Sequence, residues 1–180
     1  MKIYDCIFLD RDGTINPDPG YISSIENFKF FDYTIPALKN IANLGNRFCI
    51  VTNQSGVSRG LIRQDALDNI HNYIEQEFKK FEIPLLNIYT CIDHPDNPSE
   101  RRKPGPGMFL EAEIDHGLNL MDCLMIGDSY DDMKVGEMLG MDTMLVLTGR
   151  GQDTVEHLAD YEMPTHIVRD LTQGSEKLCL

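Results

Sequence analysis

Residues 3–14 read Ile3-Tyr4-Asp5-Cys6-Ile7-Phe8-Leu9-Asp10-Arg11-Asp12-Gly13-Thr14, an apolar strand-like stretch that runs directly into two carboxylates spaced i, i+2. A strand that ends this way carries both side chains to the mouth of the sheet it joins. One carboxylate could attack while the other handles a proton, the division of labour that phosphoryl transfer through an aspartyl-phosphate requires. A turn and a cation loop are the competing readings. A calcium loop of the EF-hand type starting at Asp10 needs an oxygen ligand at its fifth position, glycine at its sixth and glutamate at its twelfth. Those positions hold Thr14, Ile15 and Tyr21, and Gly13 falls two places early, so calcium is disfavoured.

Further apolar, β-branched-rich runs follow at 48–52, 87–92, 123–126 and 143–147, with a weaker one at 165–168. Helix-period stretches separate them. The clearest is 64–81, where Leu67, Ile70, Ile74, Phe78 and Phe81 fall on one face with charge on the other. Ile35, Leu38 and Ala42 mark a second, and 108–116 and 131–139 two more. Alternating strand and helix predicts an α/β fold: a three-layer, Rossmann-like parallel sheet with helices on both faces. At 180 residues, the expectation is a single domain over 1–180 with no large cap domain, its last residues, 174–180, forming a frayed tail.

A hydrophobic share of 42% and a charged share of 25% belong to a soluble globular chain, and no apolar run approaches the roughly 20 residues of a membrane span. Met1-Lys2 leads into a strand containing Asp5, unlike a secretory signal, so a cytoplasmic location is expected. The five cysteines are an odd number, and Cys6, Cys49 and Cys123 lie within apolar runs, as reduced core residues do. A net charge of −13 argues against a nucleic-acid backbone as partner. The expected partner is a small phosphorylated molecule, bound by a monomer without nucleic acid or membrane. Such an acidic chain must gather its few cations locally.

In open α/β sheets, ligands bind outside the carboxyl ends of the strands. Asp10 and Asp12 follow the first strand, and the second ends Thr52-Asn53-Gln54-Ser55-Gly56. The third leads through a Pro-rich loop to Arg101-Arg102-Lys103-Pro104, and the fourth ends Gly127-Asp128-Ser129-Tyr130-Asp131-Asp132. Four consecutive strand ends thus carry a carboxylate pair, hydroxyl and amide donors, a lysine and further carboxylates. Singly, each has a bland alternative: Thr52-Asn53 as a cap, Lys103 as a solvated surface group, Asp128 or Asp132 as a helix cap.

Together and in this order, the four resemble the motifs of the haloacid dehalogenase superfamily of Mg²⁺-dependent phosphatases. The resemblance implies Asp10 as nucleophile, Asp12 as acid and then base, Thr52 and Lys103 on the transferring phosphoryl group, and Mg²⁺ on Asp10, the backbone carbonyl of Asp12 and Asp128. Over most of the chain the sequence is similar to the heptose 1,7-bisphosphate phosphatases, with histidinol-phosphate phosphatases as near relatives. The matching stretches include Asp10 to Asn16, Asp18 with Gly20-Tyr21, Thr52 to Gly56 with Arg59-Gly60, and Arg102-Lys103-Pro104. They imply substrate contacts from Arg11, Asp18, Pro19, Gly20, Tyr21, Asn53, Gln54, Ser55 and Ser129, with Arg102 on a distal phosphate or the sugar and Arg59 as a second cation. Asp132 fits the family's spacing after Asp128, so Asp131 reads as a solvent-facing or first-turn residue of the following helix.

The chain departs from these relatives in one loop. Many carry a structural zinc on a Cys-x-His pair and a Cys-x-Cys pair, but the corresponding residues here are Cys91-Ile92-Asp93-His94 and Ser99-Glu100-Arg101-Arg102. Two candidate ligands cannot close a tetrahedral site, so no structural zinc is expected. Other readings are a histidinol-phosphate or other small sugar-phosphate phosphatase, a phosphoaspartate signalling module, and a nucleic-acid 3′-phosphatase. Asp12 opposes the second, because an acid/base beside the nucleophile shortens the life of the phosphoryl group, and the acidic charge opposes the third.

Overall fold

In a computed structural model, residues 2–159 and 163–180 are described. Among the described residues, six parallel strands form one sheet: β1 (Ile7–Leu9), β2 (Phe48–Asn53), β3 (Leu85–Cys91), β4 (Leu124–Gly127), β5 (Asp142–Val146) and β6 (His166–Val168). Their spatial order is β3-β2-β1-β4-β5-β6. The order reverses at β1, so the crevice beyond the ends of β1 and β4 is the topological switch point where such sheets bind ligands. Ile7 pairs in register with Phe48 on one side and Leu124 on the other, and Leu9 with Ile50 and Ile126.

The helices are α1 (Thr34–Ala42), α2 (Gln64–Lys80), α3 (Gly107–His116), α4 (Tyr130–Met138), α5 (Gly151–His157) and α6 (Leu171–Cys179). Strand side chains alternate between two separate cores, as the two-residue period requires. Ile7, Leu9, Ile50 and Ile126 pack with α1, α2 and α6 through Leu38, Ile41, Ile74, Phe78, Leu171 and Leu178. Cys6, Phe8, Val51 and Met125 face the other way, onto Met108, Phe109 and Ala112 of α3 and Val135 of α4. Phe8 and Phe109 meet with ring centroids 4.9 Å apart. The three layers match the expected architecture, and Cys6, Cys49 and Cys123 are buried free thiols in it.

Two expectations change. The first strand begins at Ile7 rather than Ile3, because the preceding residues are tied to turns. Tyr4 N–H donates to the Asn46 side chain, Asp5 N–H to the Asp122 carbonyl, and the Asp5 carboxylate accepts from Arg47 and from Asn119 N–H. The segment expected to fray from Gly174 is instead part of α6, which packs against α1. Asp170 caps it by accepting from Gln173 N–H at 3.0 Å. Gly174 and Ser175 dilute its apolar pattern, yet both are buried. A Cβ at Gly174 would lie 2.9 Å from the Met144 sulfur, so the helix docks closely over β5 only because that position lacks a side chain.

Leu178→Ala should therefore lower unfolding free energy in urea by about 2–5 kcal/mol, the cost of emptying a buried leucine site. A frayed tail would make the substitution nearly neutral.

Candidate active site

The first strand delivers Asp10, whose N–H donates to the Ile126 carbonyl and so ties the end of β1 to β4. Immediately beyond, the Arg11 carbonyl accepts from the N–H groups of Thr14 and Ile15, folding the chain into a tight loop. Gly13 sits in that loop at φ +88°, and a Cβ there would come within 2.1 Å of an Asp128 carboxylate oxygen. Only glycine lets the β1 loop pass this closely over the end of β4.

Lys103 links the other elements. Its ammonium donates to Asp10 Oδ1 at 2.7 Å, Asp132 Oδ1 at 2.6 Å and the Val51 carbonyl at 2.8 Å, satisfying all three donors. Burial alone would push its pKa down, but the Asp10 and Asp132 charges override that and hold it above the ordinary lysine value. The lysine is therefore a fixed cation. Asn53 at the end of β2 clamps the Lys103 backbone, accepting from its N–H and donating to its carbonyl, both at 3.1 Å. Gln54 Nε2 bridges Thr52 Oγ1 at 2.8 Å and Asp12 Oδ2 at 2.7 Å.

On the far side, Asp128 Oδ2 accepts from Arg150 N–H at 2.7 Å. Ser129 and Asp132 form a capping box at the start of α4, with Asp132 Oδ2 accepting from Ser129 N–H and hydroxyl. Ligand oxygens of Asp10, Asp128 and Asp132 all lie within 4.8 Å of one another. Burial, followed by the Asp132 charge, pushes Asp128 from 3.8 up to about 7. Burial raises the pKa of Asp10 above its ordinary value, a push that Lys103 opposes and that Asp132 and Asp128 reinforce. Buried carboxylates that repel one another and offer only oxygen suit a hard divalent cation. Both Asp132 oxygens are already engaged, so Asp10 and Asp128 have the better claim to it.

These groups line a cleft of about 350 Å³. Of the residues singled out from sequence, Asp10, Asp12, Thr52, Asn53, Gln54, Ser55, Lys103, Asp128 and Ser129 meet there, with Asp18, Gly20, Tyr21 and Arg102 at its walls. Three do not. Pro19 and Arg59 are exposed and lie outside the lining. Arg11 is wholly buried and its guanidinium grips Asp12, which corrects its expected place among substrate contacts.

Gly56 and Arg150, not singled out from the sequence, and Asp131, which the motif spacing set aside, also line the cleft. Asp131 lies in the first turn of α4, one of the two places expected for it, but is half-buried rather than solvent-facing, and burial followed by the Asp132 charge raises its pKa. Arg150 follows the fifth strand, so the rule used at four strand ends would have found it at the next. In the loop after β3, the Asp93 carboxylate accepts from Ser99 N–H at 2.7 Å and its hydroxyl at 2.5 Å. Cys91 is buried at the strand end, while His94 Nδ1 accepts from Asp96 N–H at 3.2 Å.

Residues 6–134 match a family model described as polynucleotide kinase 3 phosphatase, and residues 100–174 match one described as HAD-like hydrolase. The fold and site are thus those of a haloacid-dehalogenase-like phosphatase, an enzyme class. The D-glycero-beta-D-manno-heptose-1,7-bisphosphate 7-phosphatase of Escherichia coli O6:H1 is 34% identical, the alignment covering 98% of this chain and 96% of the relative. Its counterpart in Haemophilus influenzae is 33% identical over 86% of this chain and 90% of its own. A crystal structure of D,D-heptose 1,7-bisphosphate phosphatase from B. bronchiseptica, complexed with magnesium and phosphate, superposes with a TM-score of 0.87 at 28% identity, covering 99% of this chain and 98% of that one. The chain belongs to the family of these heptose bisphosphate phosphatases.

The raised pKa of Asp128 has a thermodynamic sign. Protonated in both states below 3.8, it costs nothing there; between 3.8 and about 7 the folded state holds the extra proton, so its contribution to stability falls as pH rises. In chelator, the melting temperature of Asp128→Asn should therefore exceed that of wild type by a margin that grows from pH 4 to 7 and then levels. A margin independent of pH would contradict the assignment.

Proposed function

We propose that this phosphatase removes a phosphate from a heptose 1,7-bisphosphate, through an aspartyl-phosphate, on the route to bacterial surface sugars. The observation carrying the reading is the buried Asp10–Lys103 pair with Asp12 two residues away, in a chain that resembles the heptose bisphosphate phosphatases from end to end. We place the reaction in the cytoplasm, where phosphorylated sugars are made, with 1–180 acting as one monomeric domain. Among the described residues, no helix is long and apolar enough to cross a membrane.

Lys103 holds one oxygen of Asp10 and leaves the other to attack phosphorus. The same ammonium, with the Thr52 hydroxyl and nearby amides, stabilises the charge spread over the transferring oxygens. Asp12 protonates the departing sugar oxygen as its bond to phosphorus breaks, then takes a proton from the water that hydrolyses the acyl phosphate. Asp10, the backbone carbonyl of Asp12 and Asp128 would hold Mg²⁺, which when bound offsets the repulsion between a carboxylate nucleophile and a phosphate dianion. Arg102 and the turn at Asp18 to Tyr21 stand at the cleft walls, suited to a second phosphate and to hydroxyls. Asp18 Oδ1 accepts from Gly20 N–H, which shapes that turn.

The match to a polynucleotide 3′-phosphatase model supports a second reading, opposed by the −13 charge. Turnover of heptose bisphosphates, hexose bisphosphates, histidinol phosphate and a 3′-phosphorylated oligonucleotide, each with Mg²⁺, separates the candidates. The heptose bisphosphate should show the highest kcat/KM; preference for histidinol phosphate or the oligonucleotide would replace the proposal. Asp10→Asn should abolish turnover with the fold intact, and chelation should abolish it until Mg²⁺ is restored. Arg102→Ala should raise KM for the bisphosphate roughly 10- to 100-fold, the loss of one charged hydrogen-bond partner.

A further inference from the structure

Arg11 is among the largest wholly buried side chains, an unusual position for a guanidinium. It does not line the cleft. Its Nη2 donates to Asp12 Oδ1 at 2.9 Å and Oδ2 at 2.7 Å, and its Nε donates to Oδ1 at 3.1 Å. Asn16 Nδ2 adds a donor to Oδ1 at 2.9 Å, and Gln54 Nε2 one to Oδ2 at 2.7 Å. Every one of these groups approaches a carboxylate that itself opens on the cleft with its side chain 20% exposed.

His71 of α2 lies within the field of both Arg11 and Asp12. Burial, followed by the Arg11 charge, brings its pKa down to about 4, so the imidazole is neutral at ordinary pH and does not compete for the carboxylate as a cation.

We propose that Arg11 is a positioning residue for the acid/base step: a buried guanidinium that fixes the orientation of the Asp12 carboxylate so that its proton meets the departing sugar oxygen. The inference rests on the reading of Asp12 as acid/base. A fork of N–H groups in fixed geometry locks a carboxylate plane in a way that a single flexible ammonium cannot. Burial removes competing water from the lock. Asn16 and Gln54 complete it, and Gln54 also couples the acid to Thr52.

The readout is leaving-group dependence. A sugar alkoxide departs only with a proton, whereas p-nitrophenolate departs without one. Arg11→Lys keeps the charge and loses the fork. It should lower kcat for a heptose bisphosphate about 100-fold, the typical contribution of general acid–base catalysis, with KM changed less than about threefold. The pre-steady-state burst of p-nitrophenol from p-nitrophenyl phosphate should keep its rate within about threefold, because only acid-assisted departure is impaired.

Equal losses on both substrates would overturn the proposal, as would a rise in KM with kcat intact, which is the signature of a substrate contact. If Arg11→Lys does not fold, Asn16→Ala removes one donor from the same carboxylate and should show the same selectivity at smaller size; equal losses there would overturn the proposal as well. Asp12→Asn separates the two levels. If it lacks leaving-group selectivity, the acid/base reading of Asp12 fails and the proposal with it. If it is selective and Arg11→Lys is not, the positioning role alone fails.

Discussion

The Lys103 ammonium, held between Asp10, Asp132 and the Val51 carbonyl, is the contact on which the rest of the site depends. An ammonium taken out of water costs several kcal/mol unless its charge and donors are met, and removing one partner of such a pair costs about 3–5 kcal/mol. Here β1, β2 and α4 meet that need at once. The same bonds draw three separate segments of chain to one point, and they hold Asp10 with one oxygen engaged. Asn53 then clamps the lysine's own backbone, so the loop bearing it is fixed from both ends of the side chain.

Around that cation the site concentrates negative charge. Asp10, Asp128 and Asp132 are buried close together, and the first two are pushed up in pKa by burial and by the charge of Asp132. This electrostatic tension suits a centre that receives a divalent cation and a phosphate together. Glycine makes the crowding possible. Positions 13 and 149, at φ +88° and +53°, let two loops close over the Asp128 carboxylate where any Cβ would collide with it.

Much of this was legible because it is local. The unbroken apolar run Ile7-Phe8-Leu9 announces a strand buried on both faces, and the stripe Leu67, Ile70, Ile74, Phe78 announces α2. The helix α6 was less visible, since the stretch from Gly174 reads as a frayed tail until β5 is seen beneath it. Arg150 went unread, and Asp131 was placed outside the site, for a similar reason. Each lies just beyond a strand, but the side on which it falls depends on how α4 and α5 leave the sheet.

From sequence alone came the order of elements and the groups that reach a common mouth, because strand ends in a parallel sheet point one way and each motif sits at such an end. Only the tertiary structure decided what those groups do to one another. Lys103 and Asp10 are 93 positions apart, and nothing local says that they touch. Arg11 and Asp12 are adjacent, and still the chain alone does not say that one turns into the protein while the other opens on the cleft. That is settled by the tight turn at Gly13 and by Asn16 and Gln54, which arrive at the same carboxylate from different parts of the fold.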